Sequence, residues 1–210
     1  MTVDELTNAE ETLPEADVVP AYKDQAEEMN KVAKQHLAQG EWEPAVAQYE
    51  QVITLMEEAE DVAGKAEALN NIASVYLALK EWEKALDFAG QARALYQDIG
   101  DQAAEAVTMN NIAAAYDGLG NWAEAISIYE QALVLRGELN DREGEAKTLQ
   151  NLAIVHARHG NRAKAKSYLN RALALARQTK SRALMTALRK TMSQLPRIRQ
   201  RRGMPKTRTG

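Results

Sequence analysis

Residues 109–125 read Met-Asn-Asn-Ile-Ala-Ala-Ala-Tyr-Asp-Gly-Leu-Gly-Asn-Trp-Ala-Glu-Ala, and this stretch decides the fold. Up to Gly120 its apolar side chains recur at intervals of three, four and seven residues, which is the spacing of one helix face. Asn121 and Trp122 follow the glycine, and a second series with helical spacing begins after them. The stretch therefore predicts a helix, a tight turn and a second helix.

The same pattern recurs every forty residues along most of the chain. The turns read Gly40-Glu41-Trp42, Lys80-Glu81-Trp82, Gly120-Asn121-Trp122 and Gly160-Asn161-Arg162. Every second helix carries alanine near its start, at positions 45, 85, 125 and 165, so the two helices of a pair can approach closely. A period of this size predicts a stacked array of helix pairs, in which each pair buries its apolar face against the next.

Residues at the helix ends support this assignment. Asp61, Asp101 and Asp141 precede successive first helices and are predicted to be their N-caps. A glycine after the first helix is predicted to take the left-handed conformation that ends it. We expect the tryptophans to cover the turns and to pack between neighbouring pairs.

The order bulky–x–x–bulky–Ala–x–x–aromatic–x–x–x–Gly–x–aromatic–x–x–Ala, found from Met109 to Ala125, resembles the tetratricopeptide repeat. The usual repeat has 34 residues and closes with proline, whereas this chain has Glu57, Gln97, Gly137 and Arg177 at the closing positions. In this it resembles the forty-residue variety found in kinesin light chains and in spindle-orientation adaptors with Leu-Gly-Asn repeats.

The resemblance covers about residues 21–195. It implies an all-α fold, a right-handed α-α superhelix with about four helix pairs and a C-terminal capping helix. The expected pairs are 21–60, 61–100, 101–140 and 141–180, and the capping helix is expected at 182–195. Residues 1–20 and 196–210 are expected to be a disordered acidic lead and a disordered basic tail.

Composition excludes several classes of protein. The chain has no cysteine, which excludes disulfides, thiol catalysis and thiolate metal sites and fits a cytoplasmic location. No apolar run reaches the roughly 18 residues that a membrane span needs. Neither a phosphate-binding glycine loop nor a Ser/His/Asp set is present. We therefore expect no enzyme activity and no cofactor.

The histidines are expected to pack rather than to bind metal. His36 and His156 stand where the middle repeats have Tyr76 and Tyr116. His156 and His159 share a helix face, but no carboxylate stands at a supporting offset, so no metal site is predicted. Asp117 is interpreted as a single acid without a nucleophile or a basic partner.

First helices of such repeats line a concave groove, as the resemblance implies. Helical spacing places seven amide side chains on that face, and we call this set the amide column: Asn30, Asn70, Asn110, Gln150, Asn71, Asn111 and Asn151. An amide both donates and accepts, so such a column can pair with the backbone of an extended peptide. It can equally bond to neighbouring helices and stabilise the stack, and the sequence leaves both explanations open.

Basic groove residues suggest a second type of contact. They are Lys31, Lys34, Lys147 and Arg158. They could hold an acidic peptide or a terminal carboxylate, or they could be solvated surface charges.

Charge is distributed very unevenly along the chain. Residues 1–20 contain six acids and no base, whereas residues 181–210 contain nine bases and no acid. The basic tail includes Arg197, Arg199, Arg201, Arg202, Lys206 and Arg208.

The first hypothesis for the function is a scaffold that binds a peptide segment of a partner protein. The alternatives are a polyanion-binding module that acts through residues 142–210 and salt-dependent self-association between acidic and basic ends.

Overall fold

A computed structural model describes residues 21–195, and every regular element in that range is an α-helix. The acidic residues 1–20 and the basic residues 196–210 lie outside the described residues. The helices are α1 (Ala21–Gln39), α2 (Trp42–Glu58), α3 (Val62–Leu79), α4 (Trp82–Asp98), α5 (Gln102–Gly118), α6 (Trp122–Glu138), α7 (Arg142–Arg158), α8 (Arg162–Gln178) and α9 (Arg182–Gln194). Each helix packs against the next, which gives four pairs followed by a terminal helix.

Helix ends follow the sequence signals. The side chain of Asp61 accepts a hydrogen bond from the backbone N–H of Gly64 at 2.8 Å, and Asp101 and Asp141 cap α5 and α7 in the same way. The predicted N-caps are therefore confirmed. Gly120 has a φ of 84°, which confirms the predicted left-handed residue after the first helix.

Alanines allow the helices to approach closely. The alanines at 45, 85, 125 and 165 are fully buried, as are their counterparts in the first helices at 33, 73, 113 and 153. Larger side chains such as Ile72, Leu152 and Leu169 fill the space beside these contacts. The core is consequently a series of small-residue contacts joined by aliphatic layers, in agreement with the low aromatic content.

Tryptophans join one pair to the next, as predicted. The indole of Trp82 lies against Gly118 at the end of α5, so closely that a Cβ added there would lie 2.3 Å from Trp82 Cδ2. Trp122 lies against the ring of His159, with a centroid distance of 5.2 Å, although 47% of this tryptophan is exposed. Trp82 thus contacts the last residue of α5, and Trp122 contacts the C-cap residue of α7, so each indole lies at the C-terminal end of the first helix of the following pair.

Contacts between alternate helices show which face is inner. Helix α3 contacts α5, α5 contacts α7, and α7 contacts α9, whereas the second helices α2, α4, α6 and α8 do not contact one another. The first helices therefore line the shorter, inner face of the array, as expected. One exception stands out within residues 21–195, because α1 does not contact α3.

Replacing Gly118 by alanine tests the tryptophan contact. We expect Gly118→Ala to lower the free energy of unfolding by about 1–3 kcal/mol, because the rigid indole of Trp82 must shift. Gly90→Ala is the matched control, since the site lies in α4 with no atom near the added methyl. That change should raise stability by about 0.5–1 kcal/mol. Equal effects of the two substitutions in urea unfolding would contradict the packing described.

Candidate functional site

Four of the seven amides in the amide column connect neighbouring first helices. Asn111 Nδ2 donates to Asn70 Oδ1 at 2.9 Å and thereby ties α5 to α3. The hydroxyl of Thr148 donates to Asn110 Oδ1 at 3.2 Å. Gln150 Nε2 donates to the hydroxyl of Thr191 at 2.6 Å, which ties α7 to α9. These side chains stabilise the stack, so the stacking interpretation describes Asn70, Asn110, Asn111 and Gln150.

The other three members have no such bond. Among the described residues no hydrogen-bond partner exists for the side chains of Asn71 and Asn151, and both residues are half-buried on the inner face. Asn30 Oδ1 is shielded from solvent and also has no donor. The amide column therefore contains two groups: amides that form hydrogen bonds between first helices, and amides whose side chains have no such bond in the described chain.

Basic groove residues are mostly neutralised by carboxylates on the protein. Lys31 Nζ lies 3.2 Å from Glu28 Oε2, and Lys147 Nζ lies 3.5 Å from Glu143 Oε1. Lys34 has no ion pair within residues 21–195. Since exposed pairs of this kind are worth about 0–1 kcal/mol, they remain open to exchange with a ligand.

Asp117 corrects one expectation from the sequence. The interpretation that this acid has no basic partner is wrong, since Arg158 forms an ion pair with it and His159 Nε2 lies 3.6 Å from its Oδ1. The Asp117 side chain is only 6% exposed. Desolvation of the phenol raises the pKa of Tyr129, the negative charge of Asp117 raises it further, and the charge of Arg158 opposes this. Arg158 therefore joins α7 to α5.

A first cleft opens between α1 and α3, where the helix backbones lie further apart than those of the later first helices. Its volume is about 1010 Å³. The wall from α1 includes Glu27, Asn30 and Lys34, and the facing wall includes Glu67 of α3 and, further in, Tyr96 of α4. Burial, and then the charges of Glu67 and Asp101, raise the pKa of Tyr96 to about 12, so its phenol stays neutral.

A second cleft, of about 500 Å³, lies over the third pair and is also lined by residues of the second and fourth pairs. Asn151 lines it together with Ile154 and the Asp117–Arg158 ion pair, and Trp82 contributes to the far wall. One unbonded member of the amide column therefore faces an open, partly apolar space on the inner face.

His156 is a buried ring, as predicted. Its imidazole stacks on Tyr168 with a centroid distance of 5.4 Å, and its Nε2 is enclosed without a hydrogen-bond partner in the described chain. Desolvation lowers the pKa of His156, the charges of Lys164 and His159 lower it further, and Glu130 opposes them. The neutral imidazole is therefore the form that the fold accommodates.

The lowered pKa predicts acid sensitivity of the fourth pair. The unfolded chain binds a proton at His156 more readily than the folded chain, so its stabilising contribution is complete above about pH 6.5 and is lost as the pH falls below it. His156→Tyr introduces the residue of the middle repeats and removes this titration. We expect the wild-type protein to lose stability relative to His156→Tyr between about pH 7.5 and pH 5.5.

Thermal unfolding of both proteins across that pH range checks the prediction. A stability difference that does not change with pH would contradict the role of His156.

Sequence reasoning missed several residues that shape the site. Arg136 is buried, forms an ion pair with Asp141, and donates through Nη2 to the carbonyl of Ala106 at 3.2 Å. A signal was present, because the equivalent positions 56, 96 and 176 carry Met, Tyr and Ala. For Thr148 and Thr191, which complete the bonds between first helices, no signal separates them from ordinary helix-surface threonines.

A family model described as the tetratricopeptide repeat matches residues 24–98 and 104–178. The chain belongs to the tetratricopeptide repeat family. No curated protein matches its sequence. Within residues 21–195 no group of three or more metal-binding side chains comes together, and no helix is long and apolar enough to cross a membrane.

Solved structures of low sequence identity share the tetratricopeptide fold. Aspartyl phosphate phosphatase F from Bacillus subtilis is 16% identical with a TM-score of 0.72, over 81% of this chain and 45% of that one. A Rap protein complexed with competence and sporulation factor is 18% identical with a TM-score of 0.71, over 79% and 46%. This chain therefore spans less than half the length of either protein.

The forty-residue form of the repeat also has a structural counterpart. A kinesin light chain of Podosopora anserina with nearly identical TPR-like repeats is 18% identical with a TM-score of 0.60, over 78% of this chain and 80% of that one. At this identity the likeness concerns the fold alone. The array is of the kinesin light chain type in its repeat architecture.

Proposed function

We propose that this tetratricopeptide repeat protein is a non-enzymatic scaffold that binds an extended peptide segment of a partner protein along its inner face. The observation that carries the proposal is the division of the amide column. Asn71 and Asn151 lie on the inner face with their side-chain donors and acceptors unused by the described fold. Asparagine within a helix costs about 0.7 kcal/mol relative to alanine, and no bond within the stack offsets that cost at these two positions.

Amide side chains suit a peptide backbone. Each amide can accept from a peptide N–H and donate to a peptide carbonyl, whatever the side chains of the ligand. Asn151 faces the second cleft, where Ile154 and Trp82 add apolar surface for a side chain of the peptide. The structurally similar Rap protein was solved in complex with competence and sporulation factor, which supports a binding role for the fold.

Paired substitutions separate binding from stability. We expect the double change Asn71→Ala, Asn151→Ala to leave the free energy of unfolding unchanged or to raise it slightly, because alanine favours the helix. The same change should weaken partner binding by at least about tenfold, which corresponds to about 1.4 kcal/mol. Affinity capture followed by calorimetry with the captured protein measures the second effect, and urea unfolding measures the first.

Asn111→Ala is the matched control from the same column. It removes the bonds to Asn70 and Ser74 and should lower stability by about 0.5–1.5 kcal/mol. Partner affinity that is unchanged in the Asn71→Ala, Asn151→Ala protein would contradict the proposed function.

A second candidate function rests on the basic surface of α8 and α9. These two helices carry eight lysines and arginines and no acid, and apart from Arg162 these side chains are exposed. Such a surface supports contact with a polyanion by counterion release. Binding of RNA or DNA that weakens steeply with salt and with Lys164→Gln, Lys166→Gln would support it, and no retention at low salt would exclude it.

A further inference from the structure

The first cleft marks the one place where the inner face is interrupted within residues 21–195. At the later joints the first helices touch, and a side-chain hydrogen bond crosses each joint. Between α1 and α3 the backbones do not approach in this way, and no hydrogen bond joins Asn30 to Asn71. The side-chain contacts that cross this joint go to the N-cap of α3, where Asp61 accepts from the hydroxyl of Tyr22 at 3.3 Å and lies 3.9 Å from Lys23 Nζ. The residue types for a hydrogen bond between amides are nevertheless present, since Asn30 and Asn71 occupy the positions that Asn70 and Asn111 occupy one repeat later.

Asn30 presents an unsatisfied acceptor at this joint. Its Oδ1 is shielded from water, and no donor approaches it in the described chain. A buried acceptor without a hydrogen-bond donor is unfavourable. Asn30 lines the cleft, so a ligand that turns this side chain outward and brings an N–H to its oxygen would satisfy the acceptor. The cleft therefore favours a hydrogen-bond donor.

Carboxylates dominate the charges that remain unpaired in the cleft. Asp61 and Asp101 cap helices, and Lys23 lies 3.9 Å from Asp61. Glu27 and Glu67 line the cleft and form no ion pair within residues 21–195. Lys34 is the single opposing charge left without a partner there, so two carboxylates outweigh one ammonium.

The wider electrostatic field has the same sign. Residues 21–60 contain nine acids and three bases, and residues 61–100 contain six acids and four bases. A cleft bounded by these two pairs attracts cations over distances of about a Debye length, roughly 8 Å at physiological salt. Acceptor and charge therefore favour one class of ligand, a cationic peptide rich in N–H donors.

The chain itself supplies such a peptide. Residues 197–210 carry six lysines and arginines and no acid. Arg197, Arg199 and Arg201 stand at alternate positions of this segment. The described chain reaches Leu195, which packs on the fourth pair, at the opposite end of the array from the first cleft.

We propose that the first cleft binds the basic segment, residues 197–210, of a second copy of this chain. Arginines of the segment pair with Glu27 and Glu67, and a backbone or guanidinium N–H donates to Asn30 Oδ1 once this side chain turns toward the segment. The contact joins the front of one molecule to the rear of another, a heterologous arrangement that can be extended to further copies. This inference rests on the proposed function in one respect, namely that the inner face accepts extended peptides.

Sedimentation of the full chain tests the proposal. At about 50 mM salt the weight-average mass is expected to rise with concentration above the 23.3 kDa of one chain, and at about 500 mM salt it should return to that value. Glu27→Gln with Glu67→Gln should abolish the rise, as should Arg197→Gln with Arg199→Gln, Arg201→Gln and Arg202→Gln. A constant mass of 23.3 kDa at low salt would overturn the proposal.

Glu50→Gln with Glu58→Gln is the matched control. Both residues lie exposed on α2 outside the cleft, and the pair changes net charge by the same amount. This protein should associate like the wild type. If it also fails to associate, net charge alone explains the loss of association, and the cleft is not the binding site.

A labelled peptide of residues 197–210 measures the site directly. We expect it to bind the full chain carrying the four arginine-to-glutamine changes, and to bind at least about tenfold more weakly once Glu27→Gln and Glu67→Gln are added. Equal binding to both proteins would overturn the cleft as the site. If the peptide binds tightly but the sedimentation mass of the wild type stays constant, the segment occupies the cleft of its own chain. That outcome would overturn the proposal that a second copy supplies the segment.

Failure of this inference is distinguishable from failure of the proposed function. Asn71→Ala with Asn151→Ala acts on partner binding, and Glu27→Gln with Glu67→Gln acts on association. If the partner protein still depends on the two asparagines while the mass stays constant, only the second-copy contact is wrong.

Discussion

Close approach of alanine-lined helices is the constraint on which the rest of the structure depends. The buried alanines at 45, 85, 125 and 165 let the two helices of each pair approach closely, and their forty-residue spacing repeats that geometry. Because every pair is built alike, equivalent residues of the first helices fall opposite one another. The amide column is a consequence of this geometry, and so are the indole contacts that join one pair to the next.

The same geometry explains why one sequence pattern has two uses. Where first helices touch, an amide meets a partner on the next helix, as Asn70 meets Asn111. At the next joint the hydroxyl of Thr148 donates to Asn110. Asn151, which is the equivalent of Asn111, therefore does not make this bond, and its side chain has no partner in the described chain. Stacking and ligand binding are therefore not competing explanations for the whole column, since each describes different members of it.

The sequence predicted the fold well and the site only partly, and the reasons are physical. Caps such as Asp101 and turns such as Gly120 depend on a few neighbouring residues, so their signals are local. The gap between α1 and α3 depends on how whole helices pack, and Asn30 and Asn71 look the same in the sequence as Asn70 and Asn111. Asp117 and Arg158 are 41 residues apart in the sequence, so their ion pair can be identified only from the way in which successive first helices pack.

Double-mutant cycles on two equivalent pairs test the central claim most directly, because they measure coupling between side chains apart from their separate effects. For Asn70 and Asn111 we expect a coupling energy of about 0.5–1.5 kcal/mol, from alanine substitutions followed by urea unfolding. For Asn30 and Asn71 we expect coupling near zero, since no hydrogen bond joins these two side chains. Equal coupling in both pairs would contradict the division of the amide column and the open first joint.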